Sequence, residues 1–119
     1  LKPKRAKPFA ANLASTKMLE AEGWTVGTVE QRIPHTFITR DLFGFIDLVA
    51  MAPSRGLVGV QATGGGNMAA RVAKIRLEAR AGIWLASGGR IQVHDWVKVK
   101  GQKTRHCKIL EITKENNHD

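Results

Sequence analysis

The 119-residue chain is predicted to be an α/β (α+β) protein with a central mixed β-sheet flanked by helices. Three observations point there. Two apolar runs, residues 42–51 and 57–63, are bracketed by stretches with helical spacing. The second run is apolar on both faces, as a strand covered on both sides must be. The segment from Arg90 alternates with the period of two that marks a half-buried strand. Apolar residues make up 43% and charged residues 24%, ordinary values for one folded domain of this length. The expected organisation is a basic arm over 1–8, one domain over 9–115 and a polar tail over 116–119.

The elements follow in order. Phe9 to Glu22 reads as a helix whose apolar face is Phe9, Leu13, Met18, Leu19 and the alanines, stopped by Gly23. Trp24 to Ile33 is rich in aromatic and β-branched residues and reads as a strand, ended by Pro34-His35. Phe37 to Met51 reads as one long extended segment bent near Gly44. After the turn Ala52-Pro53-Ser54-Arg55-Gly56, the chain returns as a strand over Gly56 to Thr63. Asn67 is a good N-cap for a helix to about Ala81, with Met68, Val72, Ile75 and Ala79 on one stripe and Gly82 as its end. Ile83 to Ala86 reads as a short strand. Arg90 to Lys100 sets Ile91, Val93, Val97 and Val99 against Gln92, His94, Trp96, Lys98 and Lys100. Asp95 interrupts the apolar face, which suggests a bulge or a bound partner. Lys103 to Thr113 completes an antiparallel pair with it.

Charge narrows the function. Nineteen Lys and Arg against ten Asp and Glu give a net charge of +9, and a domain this basic usually meets a polyanion. Lys2, Lys4, Arg5 and Lys7 form an arm suited to lie along phosphates, or a tail with no packing of its own. A single cysteine, Cys107, excludes an internal disulfide and a thiolate metal cluster, which fits a reducing cytoplasm. No apolar run approaches the roughly 18 residues of a membrane span. The chain opens on Leu1 rather than Met, which leaves room for a longer leader. Gly64-Gly65-Gly66 lacks a following Lys-Ser/Thr and is no P-loop.

Asp47 needs an explanation. It lies in Arg40-Asp41-Leu42-Phe43-Gly44-Phe45-Ile46-Asp47-Leu48-Val49, where apolar neighbours would bury it, and a buried carboxylate is costly unless paired or bound to a cation. Gln61, between Val60 and Ala62, raises the same question. Two neighbouring strands presenting a carboxylate and an amide or carbonyl oxygen can hold a hard divalent cation, which hydrolysis of a phosphodiester uses both as charge clamp and as activator of water. The alternatives are a hydrogen-bonded or salt-bridged core Asp and a Gln that ties a loop. Arg40 and Asp41 can pair locally, and Asp41 is the reserve ligand. His35 and His94 stand singly, as structural or DNA-facing groups. Trp96 among cations can stack on a base, sit in a dimer interface or cover a small second core.

These residues resemble the PD-(D/E)XK nuclease superfamily, particularly its small Holliday-junction-resolvase-like and VRR-NUC-like members. The resemblance covers roughly residues 9–100 and includes Met18-Leu19-Glu20-Ala21-Glu22-Gly23-Trp24-Thr25-Val26, which is similar to the opening helix and strand of archaeal resolvases. It implies a restriction-endonuclease-like core with Asp47 as the motif Asp, after Ile46 in place of Pro. Gln61-Ala62-Thr63 stands where Glu-x-Lys would be, so the motif Glu and Lys are both absent. Asn12 aligns with an acidic residue of the resolvase helix. The resemblance implies a metal-dependent, structure-selective endonuclease for branched or junction DNA, working as a homodimer with Mg²⁺, or Mn²⁺ in its place. On that reading Asp47, Gln61, the Ala62 carbonyl and Glu30 are the metal ligands. Lys74 stands in for the motif Lys, against a reading as a solvated helix charge, and Glu30 as ligand competes with an exposed strand charge. Arg71, Lys98 and Lys100 would join the arm in holding the DNA backbone. A phage or mobile-element origin would suit so compact a nuclease. The competing functions are a nucleic-acid-binding protein of the same fold that has lost cleavage, and a protein-interaction subunit whose charge is incidental.

Overall fold

The computed structural model describes residues 9–118. Its elements are α1 (Ala11–Ala21), β1 (Thr25–Thr28), β2 (Gln31–Arg32), β3 (Thr39–Arg40), β4 (Leu48–Ala52), β5 (Gly56–Gly64), α2 (Met68–Leu77), α3 (Ala79–Ala86), β6 (Arg90–Val97) and β7 (His106–Ile112). A five-stranded mixed sheet in the order β1-β4-β5-β6-β7 lies between α1 and the α2–α3 pair, as expected for the fold class. Its neighbours are antiparallel except β5 and β6, which run parallel and are joined by α2 and α3. No helix among the described residues is long and apolar enough to cross a membrane.

Both faces of β5 are covered because side chains alternate across a strand. Val58 and Val60 pack with Leu48, Ala50, Leu19 and Trp24 on the α1 side. Phe45, Ile46, Val72, Ile75, Ala81, Leu85, Ile91, Val93 and Ile112 form the core on the α2–α3 side. Gly59 faces that second core, and a Cβ there would lie 2.8 Å from the Ile46 Cδ1. The close approach of Ile46 to β5 therefore requires glycine.

Several elements differ from their sequence expectation. On α1 the buried residues are Ser15 and Leu19, whereas Leu13 is exposed. Ser15 wins the inner face through its hydroxyl, which accepts from Trp96 Nε1 (2.9 Å) and bonds His94 Nδ1 (2.8 Å). The expected strand from Trp24 to Ile33 splits. Its first half pairs with β4, whose ladder ends at Leu48 opposite Thr28, and its second half leaves to pair with β3. The expected long segment to Met51 is likewise cut by a reversing turn, in which Leu42 and Ile46 exchange backbone bonds of 2.8 and 2.9 Å.

The helix expected to run to Ala81 breaks at Glu78, whose ψ of 113° is extended. The Glu78 carboxylate then accepts the Arg80 N–H and starts α3. The break moves the apolar stripe from Val72 and Ile75 to Ala81 and Leu85, leaving Ala79 exposed. The short strand expected over 83–86 is therefore helix, with Gly82 inside it. A four-residue apolar run carries no periodicity that separates the two.

Asp95 marks no bulge, because the β5–β6 register runs unbroken through it. Its carboxylate accepts the N–H groups of Gly66 (3.2 Å) and Met68 (3.1 Å), capping α2 from the neighbouring strand. Asn67 occupies the cap position but donates its amide to the Gly64 carbonyl instead. Asp95→Ala, which removes the acceptor of two N–H groups at a part-buried helix start, is expected to cost about 1–2 kcal/mol in urea denaturation.

His94 is fully buried. Burial pushes its imidazole down to about 4, and its Nε2 bonds the Gln92 Oε1 at 2.9 Å. The folded protein thus holds a neutral ring where the unfolded chain gains a proton below about pH 6.5. The stability carried by His94 is present above pH 6.5 and lost as pH falls toward 4. Thermal melts of His94→Gln are expected to be flatter across that window than those of the wild type.

Candidate functional site

The carboxylates meet where three segments leave the sheet. The Val29 N–H donates to the Asp47 carbonyl (3.0 Å), so Glu30 departs from β1 beside Asp47. The Asp47 N–H donates to the Val60 carbonyl (2.9 Å), which extends the β4–β5 ladder one residue and sets Asp47 beside Gln61 and Ala62. The turn after Asp41 folds back on itself, with Phe43 and Gly44 at φ of 55° and 80°, and returns Asp41 to the same place. One ligand oxygen each from Glu30, Asp41 and Asp47 lies within 4.8 Å of the others.

Asp47 is 3% exposed. Its Oδ2 accepts from Gln61 Nε2 (2.9 Å) and the Ala62 N–H (3.1 Å). Burial raises its carboxyl to about 8, the neighbouring Asp41 adds to the rise, and the Ala62 and Gln61 donors oppose it. The donors do not win because burial outweighs them and the adjacent Asp41 carboxyl favours a shared proton over two charges. Gln61 Nε2 also donates to Asp41 (3.2 Å), while its Oε1 is buried without a partner. Asn12, from the start of α1, donates to Glu30 (3.0 Å).

This cluster forms the floor of an open cleft of about 770 Å³, walled by Asn12, Arg40, Arg71, Lys74 and Arg80. An acidic floor inside a cationic wall suits a ligand that carries negative charge and is bridged by a cation. Of the sequence candidates, Glu30, Asp47, Gln61, Ala62, Arg71 and Lys74 all line this one cleft. Lys98 and Lys100 do not; they line a separate depression with Lys103 and Arg105. Lys2, Lys4, Arg5 and Lys7 lie outside the described residues. Thr63 is buried and does not line the cleft. Asp41 belongs to the cluster in full rather than in reserve, and its carboxylate meets Gln61 rather than pairing with Arg40. Arg80 reaches the cleft because α3 starts anew at Glu78, which helical spacing from Asn67 does not reveal. Trp96 covers the α1 side of the sheet, with its ring 5.9 Å from that of Phe9.

Comparison with known proteins returns no matching family model, no matching curated protein and no matching solved structure.

Proposed function

We propose that the chain is a divalent-cation-dependent endonuclease for branched DNA, akin to a Holliday-junction resolvase. The observation that carries this reading is the cluster of Glu30, Asp41 and Asp47 beside a buried, unpartnered Gln61 Oε1, inside a cationic cleft. The donor set fits Mg²⁺, with Mn²⁺ as substitute, because every available ligand is a hard oxygen. Turning the Gln61 amide over would aim its oxygen at the carboxylates and let it serve with the Ala62 carbonyl.

Bound there, such an ion would supply Lewis-acid polarisation of the phosphodiester and a more acidic water. The chain's own residues do the rest. Asp47, Asp41 and Glu30 would hold the ion, and Asn12 orients Glu30. Lys74 and Arg71 offset the charge that grows on the phosphate, in place of the motif Lys. Arg40 lines the cleft as a grip for a flanking phosphate, whereas the Arg80 guanidinium is paired with Glu78 at 2.6 Å. Two copies would make the symmetric cuts a four-way junction needs, in the cytoplasm of the source cell. Gln61 and Thr63, standing where the resemblance expects Glu and Lys, favour a second reading: a DNA-binding protein of this fold without cleavage.

Incubation of wild type and Asp47→Ala with branched and linear DNA, with Mg²⁺ or Mn²⁺, separates the readings. Cutting by the wild type alone supports the nuclease. Binding without cutting by both proteins sinks it in favour of the binding module. Absence of any salt-sensitive binding argues for a protein-interaction subunit.

A further inference from the structure

We propose that the β2–β3 hairpin is a wedge whose tip residue, Phe37, stacks on a base left unstacked where DNA branches. This rests on the DNA reading above and adds how the branch is recognised. Phe37 is 94% exposed and its neighbour Ile38 is 59% exposed, at the far end of a hairpin whose strands pair through Gln31–Arg40 and Arg32–Thr39. The tip is nevertheless tied by its own hydrogen bonds. The Ile33 N–H donates to the Ile38 carbonyl (2.9 Å), and the Thr36 hydroxyl donates to the Ile33 carbonyl (2.9 Å) while accepting from the Ile38 N–H (3.2 Å). An aromatic held outward on a hydrogen-bonded turn is partly preorganised for contact.

The charges say which contact. Residues 31–40 include no acid, and Arg32, His35 and Arg40 are their ionisable groups. The Arg32 guanidinium lies 5.5 Å from the Phe37 ring centroid, a cation and a π-face presented together. Bases next to phosphates match that pair, since an aromatic takes the unstacked base and an arginine the backbone or a second stack. The hairpin's feet settle its relation to the cleft. Glu30 precedes β2 and Asp41 follows β3, so the residues flanking the hairpin are two of the three clustered carboxylates. From Phe37 to Asp41 the chain spans about 13 Å in extended form, roughly four base-pair rises. A base held at the tip would place a phosphate a few nucleotides away over the acidic floor.

The test is fluorescence anisotropy without divalent cation, on a four-way junction and a linear duplex of the same arm sequence. Wild type is expected to prefer the junction. Phe37→Ala is expected to weaken junction binding about 5-fold or more, the effect of losing one base–aromatic stack, with duplex binding within about twofold. Phe37→Trp is expected to keep the preference. Because the ring is solvent-exposed, neither substitution touches the core. Unchanged junction binding by Phe37→Ala, or an equal loss on both DNAs, overturns the wedge while leaving the DNA reading intact. Failure of the wild type to bind either DNA overturns the DNA reading itself. Phe37-dependent self-association without an effect on DNA binding assigns the tip to a contact between copies and also overturns the wedge.

Discussion

Asp47→Ala is expected to lower Mg²⁺-dependent cleavage of branched DNA by on the order of 10³-fold or more, with DNA affinity in cation-free buffer nearly unchanged. A bound hard cation contributes several kcal/mol to stabilising a phosphoryl transition state, and each 1.4 kcal/mol is tenfold in rate. Asp47 sits at the centre of the cluster, between the Gln61 amide, the Ala62 N–H and Asp41, so its loss removes the ligand the others are arranged around. DNA affinity should survive because Arg40, Arg71, Lys74 and Arg80 stand on the wall, not the floor. Asp47→Asn adds a second readout. With Asp47 raised from 3.8 to about 8, the folded protein keeps a proton that the unfolded chain has released. The stability from this group is complete below about pH 4 and declines as pH rises toward 8. Cation-free melts of Asp47→Asn should therefore lose less stability than wild type across that range, and added Mg²⁺ should raise the wild-type Tm and not that of the variant. Equal cleavage by wild type and Asp47→Ala would count directly against a metal role for the residue.

Phe45→Ala is expected to cost about 3–5 kcal/mol in denaturant unfolding, the usual penalty for emptying a buried aromatic site. Phe45 is 1% exposed and packs in the core formed by α2, α3, β6 and β7. It also anchors the turn that carries Asp41, since its N–H donates to the Leu42 carbonyl and its side chain pins the return toward Asp47. The substitution should thus weaken the cation-induced rise in Tm as well as global stability. Phe45→Leu, which refills much of the volume, should recover most of both. A loss below about 1 kcal/mol for Phe45→Ala would mean that the turn is not held by this core.

The architecture was legible because β5 and β6 carry their burial openly. The apolar run of β5 demands cover on two faces, and Ile91 and Val93 of β6 lie in the core as its alternation implies, although β6 ends at Val97 and buries His94 on its other face, so it is not a half-buried strand. Asp47 and Gln61 stood out for the same reason, as polar residues among groups that exclude water. What escaped was set by contacts distant in sequence. The hairpin and turn between Glu30 and Asp47 depend on where β4 stops pairing with β1, which no local propensity encodes. Asp95 read as a fault in a strand because the N–H groups it satisfies belong to residues 29 and 27 positions earlier. Asp41 read as a reserve ligand because its approach to Asp47 needs a left-handed Phe43, a conformation rarely assigned to a bulky side chain. His94 stands alone in the sequence because its partner Ser15 lies 79 residues away and reaches it only where α1 crosses the sheet.

The metal site is tested most directly by anomalous diffraction at the manganese edge from a crystal of the full chain soaked in Mn²⁺. One strong anomalous peak is expected within bonding distance of Glu30, Asp41 and Asp47, with the Gln61 amide turned so that its oxygen faces the ion. A crystal whose cleft carries no anomalous peak, with Asp47 still bonded to the Gln61 nitrogen, would contradict it.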